Sequence, residues 1–188
     1  MSSTIKRSVA RGFTLIELLI VVIILAILAA IAIPQFTANT ADAQMAALDS
    51  NLSAVRTALE QYRAQHTGNV YPGAVAVPGG TACPGGGTST EAAIGTLALT
   101  AQLSMFTNAA GVACPTGDAA FRFGPYLRQG IPAEPFTGST AVAIPANGAA
   151  AVAAAAGQGW AYSTGTGQFI KNDSSADGVT AGRTFAQH

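Results

Sequence analysis

Nineteen of the 21 residues from Phe13 to Ile33 are apolar, Thr14 and Glu17 being the exceptions. As a helix this segment spans about 31 Å, the thickness of a bilayer core, so it reads as a membrane span. Pro34 closes it, and the missing amide donor with its clash into the preceding turn predicts a kink or local melting there. The helical period then resumes. Ala41, Met45, Leu48, Leu52, Val55, Leu59 and Tyr62 recur at alternating steps of four and three, with Asp42, Asp49, Arg56, Glu60 and Arg63 on the other faces. Such a stripe predicts burial against the rest of the chain; a separate coiled-coil dimer is the alternative. The helix should stop near His66-Thr67-Gly68, where glycine is a natural left-handed terminator and His66 can face the negative end of the dipole. From Phe13 to His66 the rod would be about 80 Å long.

Beyond the helix the pattern breaks up. Residues 68–96 carry three prolines and many Gly, Ser and Thr, with GGTACPGGGTST at the centre, which reads as turns and exposed loop. That glycine run is not a phosphate-binding loop, because no Gly-Lys-Ser/Thr follows. A short helical or irregular segment is expected around Glu91–Phe106, with Ile94, Leu97, Leu99, Leu103 and Phe106 apolar. Phe121–Leu127 and Gly159–Lys171 have strand character. Trp160-Ala161-Tyr162-Ser163 and Gln168-Phe169-Ile170-Lys171 bracket Thr164-Gly165-Thr166-Gly167, which predicts a hairpin. The Ala-rich stretch Gly148–Gly157 fits a helical turn or a loop equally well.

Charge changes the picture in two ways. Charged residues make up 10% of the 188, against about 25% in an average soluble domain, yet 49% are apolar, so the chain has something to bury and is not intrinsically disordered. The net charge of zero splits unevenly. Residues 1–12 hold Lys6, Arg7 and Arg11 with no acid, +3, which leaves six basic and nine acidic residues, −3, in 13–188. A basic flank before an apolar span places the N-terminus in the cytoplasm and the rest outside. No basic footprint for nucleic acid exists, and none is expected as a partner.

Glu17 sits inside the apolar run, where a charge near mid-bilayer costs roughly 2.5–3.5 kcal/mol even on the lenient insertion scale. Three readings stand at this level. A cleaved secretory signal would need a shorter apolar region of about 7–15 residues, and its small-residue site, Ala41-Asp42-Ala43, falls well past the end of the run. A plain signal anchor leaves the carboxylate unexplained. A specialised membrane segment supplies Glu17 with a cationic partner.

Arg11-Gly12-Phe13-Thr14-Leu15-Ile16-Glu17, followed by a long apolar helix ending at Ile33-Pro34, resembles the class III signal segment of type IV pilins and of type II secretion pseudopilins. The resemblance covers about residues 6–36. It implies cleavage after Gly12 by a prepilin peptidase, N-methylation of the new N-terminal Phe13, and alignment of subunits through Glu17 and a neighbour's terminal amine, with Thr14 and Pro34 part of the same assembly segment. Removing the leader creates the cation that a carboxylate in hydrocarbon requires. A weaker resemblance to pseudopilin heads runs through Leu59-Glu60-Gln61-Tyr62, Gly68, Tyr71-Pro72, Ile131-Pro132-Ala133-Glu134-Pro135-Phe136 and Gly159-Trp160-Ala161-Tyr162 to Thr166-Gly167. The implied layout is a pilin-like α+β chain with a leader at 1–12, a filament-core helix at 13–34, an amphipathic half at 35–67 and a head at 68–188 built on a small antiparallel sheet. Implied partners are copies of the chain itself, minor pilins or pseudopilins, an assembly ATPase and an inner-membrane platform protein. The implied location is the inner membrane, then a pseudopilus or an extracellular pilus.

Cys83 and Cys114 lie in the part expected outside the cytoplasm, where two cysteines are expected to pair. They enclose a mid-head segment, whereas type IV pilins typically bracket a C-terminal loop. Asp173-Ser174-Ser175-Ala176-Asp177-Gly178 offers oxygens at alternating positions and then a glycine, the opening spacing of a calcium loop. The twelfth position is Thr184, so the bidentate Glu is missing and a solvated turn is the competing reading; calcium at Asp173, Ser175 and Asp177 rests partly on the calcium-stabilised loop of major pseudopilins. Catalysis has little support: His66 and His188 are the two histidines, with no nucleophile elbow, HExxH or paired-carboxylate signature. The expected role is therefore that of a structural filament subunit, and the alternative is a membrane-anchored periplasmic binding protein or hydrolase.

Overall fold

The structure, a computed structural model, describes residues 13–77, 79–86, 88–89, 94–151, 153, 159–177 and 184–188, without the side chains at positions 34, 37, 38 and 147. One helix, α1, runs over Leu15–Gln65. Its backbone stays helical through position 34, so the local melting expected at Pro34 does not occur. In a helix this long the loss of one amide donor removes a single bond among dozens. Two compact units divide the chain, Met1–Asp42 and Ala43–His188. The boundary falls inside the helix, eight residues later than the composition suggests, because the apolar stripe finds packing partners only from Met45 onward.

In the first unit the described residues form helix alone. In the second, Met45, Leu48, Leu52, Val55, Leu59 and Tyr62 are all buried in the main core, the stripe read from the sequence, whereas Ala41 stays half-buried. Burying each such large side chain is worth about 1.5–3 kcal/mol, so this face holds the head together. Ala58, Tyr71, Val142, Trp160, Tyr162, Phe169 and Phe185, with Leu99 and Leu103 of α2 (Thr96–Ser104), complete the core. The helix stops where expected. A 3₁₀ turn at Thr67–Asn69 follows it, with Gly68 at φ 81°, a conformation that costs other residues strain.

The head carries two small sheets. Strands β1 (Phe106–Thr107) and β2 (Ala113–Cys114) pair antiparallel. The expected hairpin is present as β4 (Trp160–Tyr162) and β5 (Phe169–Lys171), antiparallel with Tyr162 opposite Phe169. Gly167 in its turn has φ 73°, and a β-carbon there would overlap the ring of Tyr71. The sheet is mixed rather than antiparallel, since β3 (Val142–Ala143) joins β4 in parallel. Phe121–Leu127 makes no strand; one bridge, Thr107 to Phe123, is its share of sheet. This loop is held instead by single bonds, with the amides of Tyr126 and Leu127 both donating to the carbonyl of Leu103 at 2.9 Å. Of the Ala-rich stretch, residues 152 and 154–157 fall outside the described residues, and a 3₁₀ turn at Ala146–Gly148 precedes it.

Candidate assembly site

Fifteen large apolar side chains between Phe13 and Ile33 are each at least half exposed, and Leu15–Ile33 is long and apolar enough to cross a membrane. Covering them with lipid or with other helices is worth on the order of 20 kcal/mol, more than the net stability of most domains. Glu17 is the carboxylate at the start of this surface. Its Oε2 accepts the Thr14 amide at 2.9 Å and the Thr14 hydroxyl at 2.8 Å, while the Glu17 amide donates back to Thr14 Oγ1 at 3.3 Å. Thr14 is thus the N-cap and Glu17 the third helical residue of a reciprocal capping box. Two otherwise orphan amides and a charge are satisfied together, in the first turn, where the helix dipole favours an anion. The Thr-x-x-Glu spacing was legible as a capping box in the sequence, although it reads there as part of the assembly segment only. Phe13 is 83% exposed beside it; Gly12 lies outside the described residues.

Cys83 and Cys114 are joined, with α-carbons 5.7 Å apart, and both are buried with Val112 and Phe121. Closing a loop of this length is worth about 4 kcal/mol in the chain-entropy account. The Thr116 hydroxyl donates to the Pro84 carbonyl beside the bridge.

The three oxygens singled out near the C-terminus have other partners. Asp173 Oδ1 accepts the Ser175 amide at 2.9 Å and hydroxyl at 2.7 Å, and Oδ2 takes Lys171 Nζ at 3.2 Å. Burial pushes the Asp173 carboxyl up, but these bonds and the lysine bring it below the ordinary range. Asp177 Oδ2 meets His188 Nε2 at 3.1 Å. Among the described residues no group of three or more His, Cys, Asp or Glu could hold a metal ion, and positions 178–183 of the expected calcium loop lie outside the described residues.

Two residues of the head escaped the sequence reading. Glu134 and Lys171 are both buried, and Lys171 Nζ lies 3.9 Å from Glu134 Oε1, 4.4 Å from the centroid of the Phe136 ring and 3.2 Å from that of Phe185. Glu134 also accepts the amides of Phe136 and Thr137, each at 2.9 Å. A buried charge pair needs such auxiliary bonds to offset desolvation. The signal was Glu134 between two prolines; nothing in the sequence named Lys171 as its partner. A cleft of about 590 Å³ in the head is lined by Gly95, Thr96, Ile144, Pro145 and Thr164 among others, with no titratable side chain among the described residues of its walls.

The profile described as the prokaryotic N-terminal methylation motif matches residues 7–33. A fimbrial protein of Pseudomonas aeruginosa is 58% identical over 50 residues, 27% of this chain and 32% of its own length. The type IV major fimbrial protein FimA of Dichelobacter nodosus is 39% identical over 97 residues, 50% of this chain and 62% of its own. The type II secretion system core protein G of Pseudomonas aeruginosa is 38% identical over 58 residues, 31% of this chain and 41% of its own. The chain thus spans between about a third and three-fifths of the length of these relatives. No solved structure matches it.

A capped apolar helix, exposed among the described residues and long enough to cross a membrane, thus precedes a disulfide-closed α+β head. Its N-terminal segment is similar to those of type IV fimbrial proteins and of the type II secretion core protein G.

Proposed function

We propose that the chain is a structural, non-catalytic subunit of a type IV filament, a pilus or a type II secretion pseudopilus. A prepilin peptidase removes residues 1–12 after Gly12 on the cytoplasmic side of the inner membrane, and the freed Phe13 amine is methylated. The subunit waits in the bilayer with the apolar helix in lipid. The helices then leave lipid for a filament core of similar polarity, at the hands of an assembly ATPase and platform protein.

The observation that carries this reading is the exposed apolar surface from Phe13 to Ile33 with one carboxylate at its head. The capping box with Thr14 gives Glu17 a partner while the subunit is alone in the membrane. A neighbour's terminal amine offers it a full counter-charge, which hydrocarbon makes valuable. The test separates charge from cap. Glu17→Gln keeps an amide oxygen for the capping box and removes the charge; Glu17→Ala removes both. We expect both variants to reach the membrane at wild-type levels and to lose at least about tenfold in recovered filament, the effect of one lost ion pair of roughly 1.4 kcal/mol per subunit. Filament yield equal to wild type in Glu17→Gln would show that the charge does not direct assembly.

A further inference from the structure

Nearly every charged group described in the head is already committed. Arg56 donates to the carbonyls of Phe169 and His188, Arg63 to Asn69 and Tyr71 while lying 3.8 Å from Glu60, and Lys171 sits between Glu134 and Asp173. Asp118 caps the amides of Ala120 and Phe121, and Asp49 takes His188. Two cations, Arg122 and Arg128, are exposed and form no ion pair among the described residues. They stand on one loop, six residues apart. Asp42, exposed on α1, is likewise without a partner among the described residues.

The loop that carries the arginines is rigid. Phe123 exchanges both backbone bonds with Thr107, at 2.9 and 3.1 Å; Tyr126 and Leu127 hang from the Leu103 carbonyl; and the Tyr126 hydroxyl donates to Gln65 Oε1 at 2.7 Å. The Arg122 guanidinium lies 5.0 Å from the centroid of the Phe123 ring. A loop so held presents its charges with little ordering entropy left to lose on docking. Its anchor to Gln65 places it at the C-terminal end of α1, and the helix from Ala43 to Gln65 spans about 33 Å. Asp42 is the next residue before Ala43. The arginines thus belong to the head, and Asp42 to the helix ahead of it.

We propose that the Arg122–Arg128 loop docks on the Asp42 region of α1 in a second copy of the chain. The partner is identified by charge complementarity: among the described residues of a chain of net −3 over residues 13–188, two cations without an ion pair share one loop, and Asp42 on α1 is an anion without one. The contact is heterologous, donor surface on one copy and acceptor surface on the next, and such contacts repeat into open helical arrays rather than closing into dimers. It rests on the filament reading above and adds to it the head surface that sets the stagger between subunits.

The experiment uses the full chain in cells that carry its assembly machinery, with filaments sheared or pelleted and quantified against membrane-held subunit. Arg122→Glu/Arg128→Glu should lower filament yield about tenfold, the swing expected when an attractive pair becomes a repulsive one. Adding Asp42→Lys to that variant should restore most of the yield, whereas Asp42→Lys alone should lower it. Should the reversal reduce subunit level in the membrane, Arg122→Gln/Arg128→Gln carries the same test, with a smaller loss expected. Unchanged yield in the arginine variants, or no rescue by Asp42→Lys, overturns the docking surface while leaving the filament reading intact. Indifference of filament yield to Glu17→Gln overturns the filament reading itself.

Discussion

The two halves of α1 obey the same backbone rules and meet opposite surroundings. From Leu15 to Ile33 the helix is apolar on every side and none of it is buried by the chain. From Met45 to Tyr62 it is apolar along one stripe, and that stripe is sealed under the head while Asp49, Ser53, Thr57 and Glu60 face outward. An all-round apolar helix has to find its partners outside its own fold, in lipid or in other copies; an amphipathic one finds them within. The lesson is that folding and assembly are separated along a single element. Substitutions in the first half should act on insertion and assembly, and those in the second on the stability of the head.

That separation is broken most directly by Leu52→Ala. Leu52 is 1% exposed in the main core, and removing its side chain should cost the head about 2–5 kcal/mol, read as a lower melting temperature of residues 43–188. The equivalent truncation Ile24→Ala in the full chain should leave head melting where it was. A matching loss in Ile24→Ala would contradict the separation of folding from assembly along α1. A somewhat smaller effect, on a different readout, comes from Ile24→Lys. A lysine at mid-span costs roughly 2.5–3.5 kcal/mol on the insertion scale, so the fraction of chain recovered in membranes should fall while the head of the secreted or soluble fraction melts normally. Full retention in the membrane would contradict a spanning role for Leu15–Ile33.

Period and composition disclosed most of this, because both halves of α1 depend on local pattern. The 3–4 spacing from Met45 to Tyr62 maps onto buried residues one for one, and the hairpin around Thr164-Gly165-Thr166-Gly167 follows from strand propensity flanking a turn. What stayed hidden depends on non-local pairing. Strand β3 has two residues, Val142 and Ala143, and a two-residue strand running parallel to β4 has no periodicity to read. Phe121–Leu127 has the composition of a strand but takes its backbone partners from Leu103 and Thr107, so tertiary contacts override propensity. The pairing of Glu134 with Lys171 joins positions 37 residues apart. At the candidate site the Thr14-x-x-Glu17 spacing suits both a local capping box, which the structure shows, and an intermolecular partner for the same carboxylate.

The last way to sharpen the comparison is pH, because the head-side half of α1 ends on a titratable residue and the membrane-side half does not. His66 is buried, stacked on Tyr62 with centroids 3.7 Å apart, and its Nδ1 lies 2.7 Å from the Tyr62 carbonyl. A carbonyl can only accept, so Nδ1 carries the hydrogen, and in the neutral ring Nε2 accepts from the Thr107 hydroxyl at 2.9 Å. Desolvation lowers the His66 pKa below its ordinary value of 6.5, and the bond to Tyr62 only partly opposes it. The unfolded chain therefore takes up a proton at a higher pH than the folded one. Stability from this group is complete above about pH 6.5 and declines as pH falls through that value toward the folded pKa. The head, residues 43–188, should melt at a lower temperature at pH 5 than at pH 7, and His66→Gln, which keeps a donor and an acceptor but does not titrate, should flatten that slope at some cost in stability at pH 7. Asp173 acts in a lower window: its depressed pKa adds stability that is lost only as pH falls below its ordinary value of 3.8. A melting temperature that holds constant from pH 7 to 5 in the wild-type head, or an equal slope in His66→Gln, would place the ring in water rather than under Tyr62.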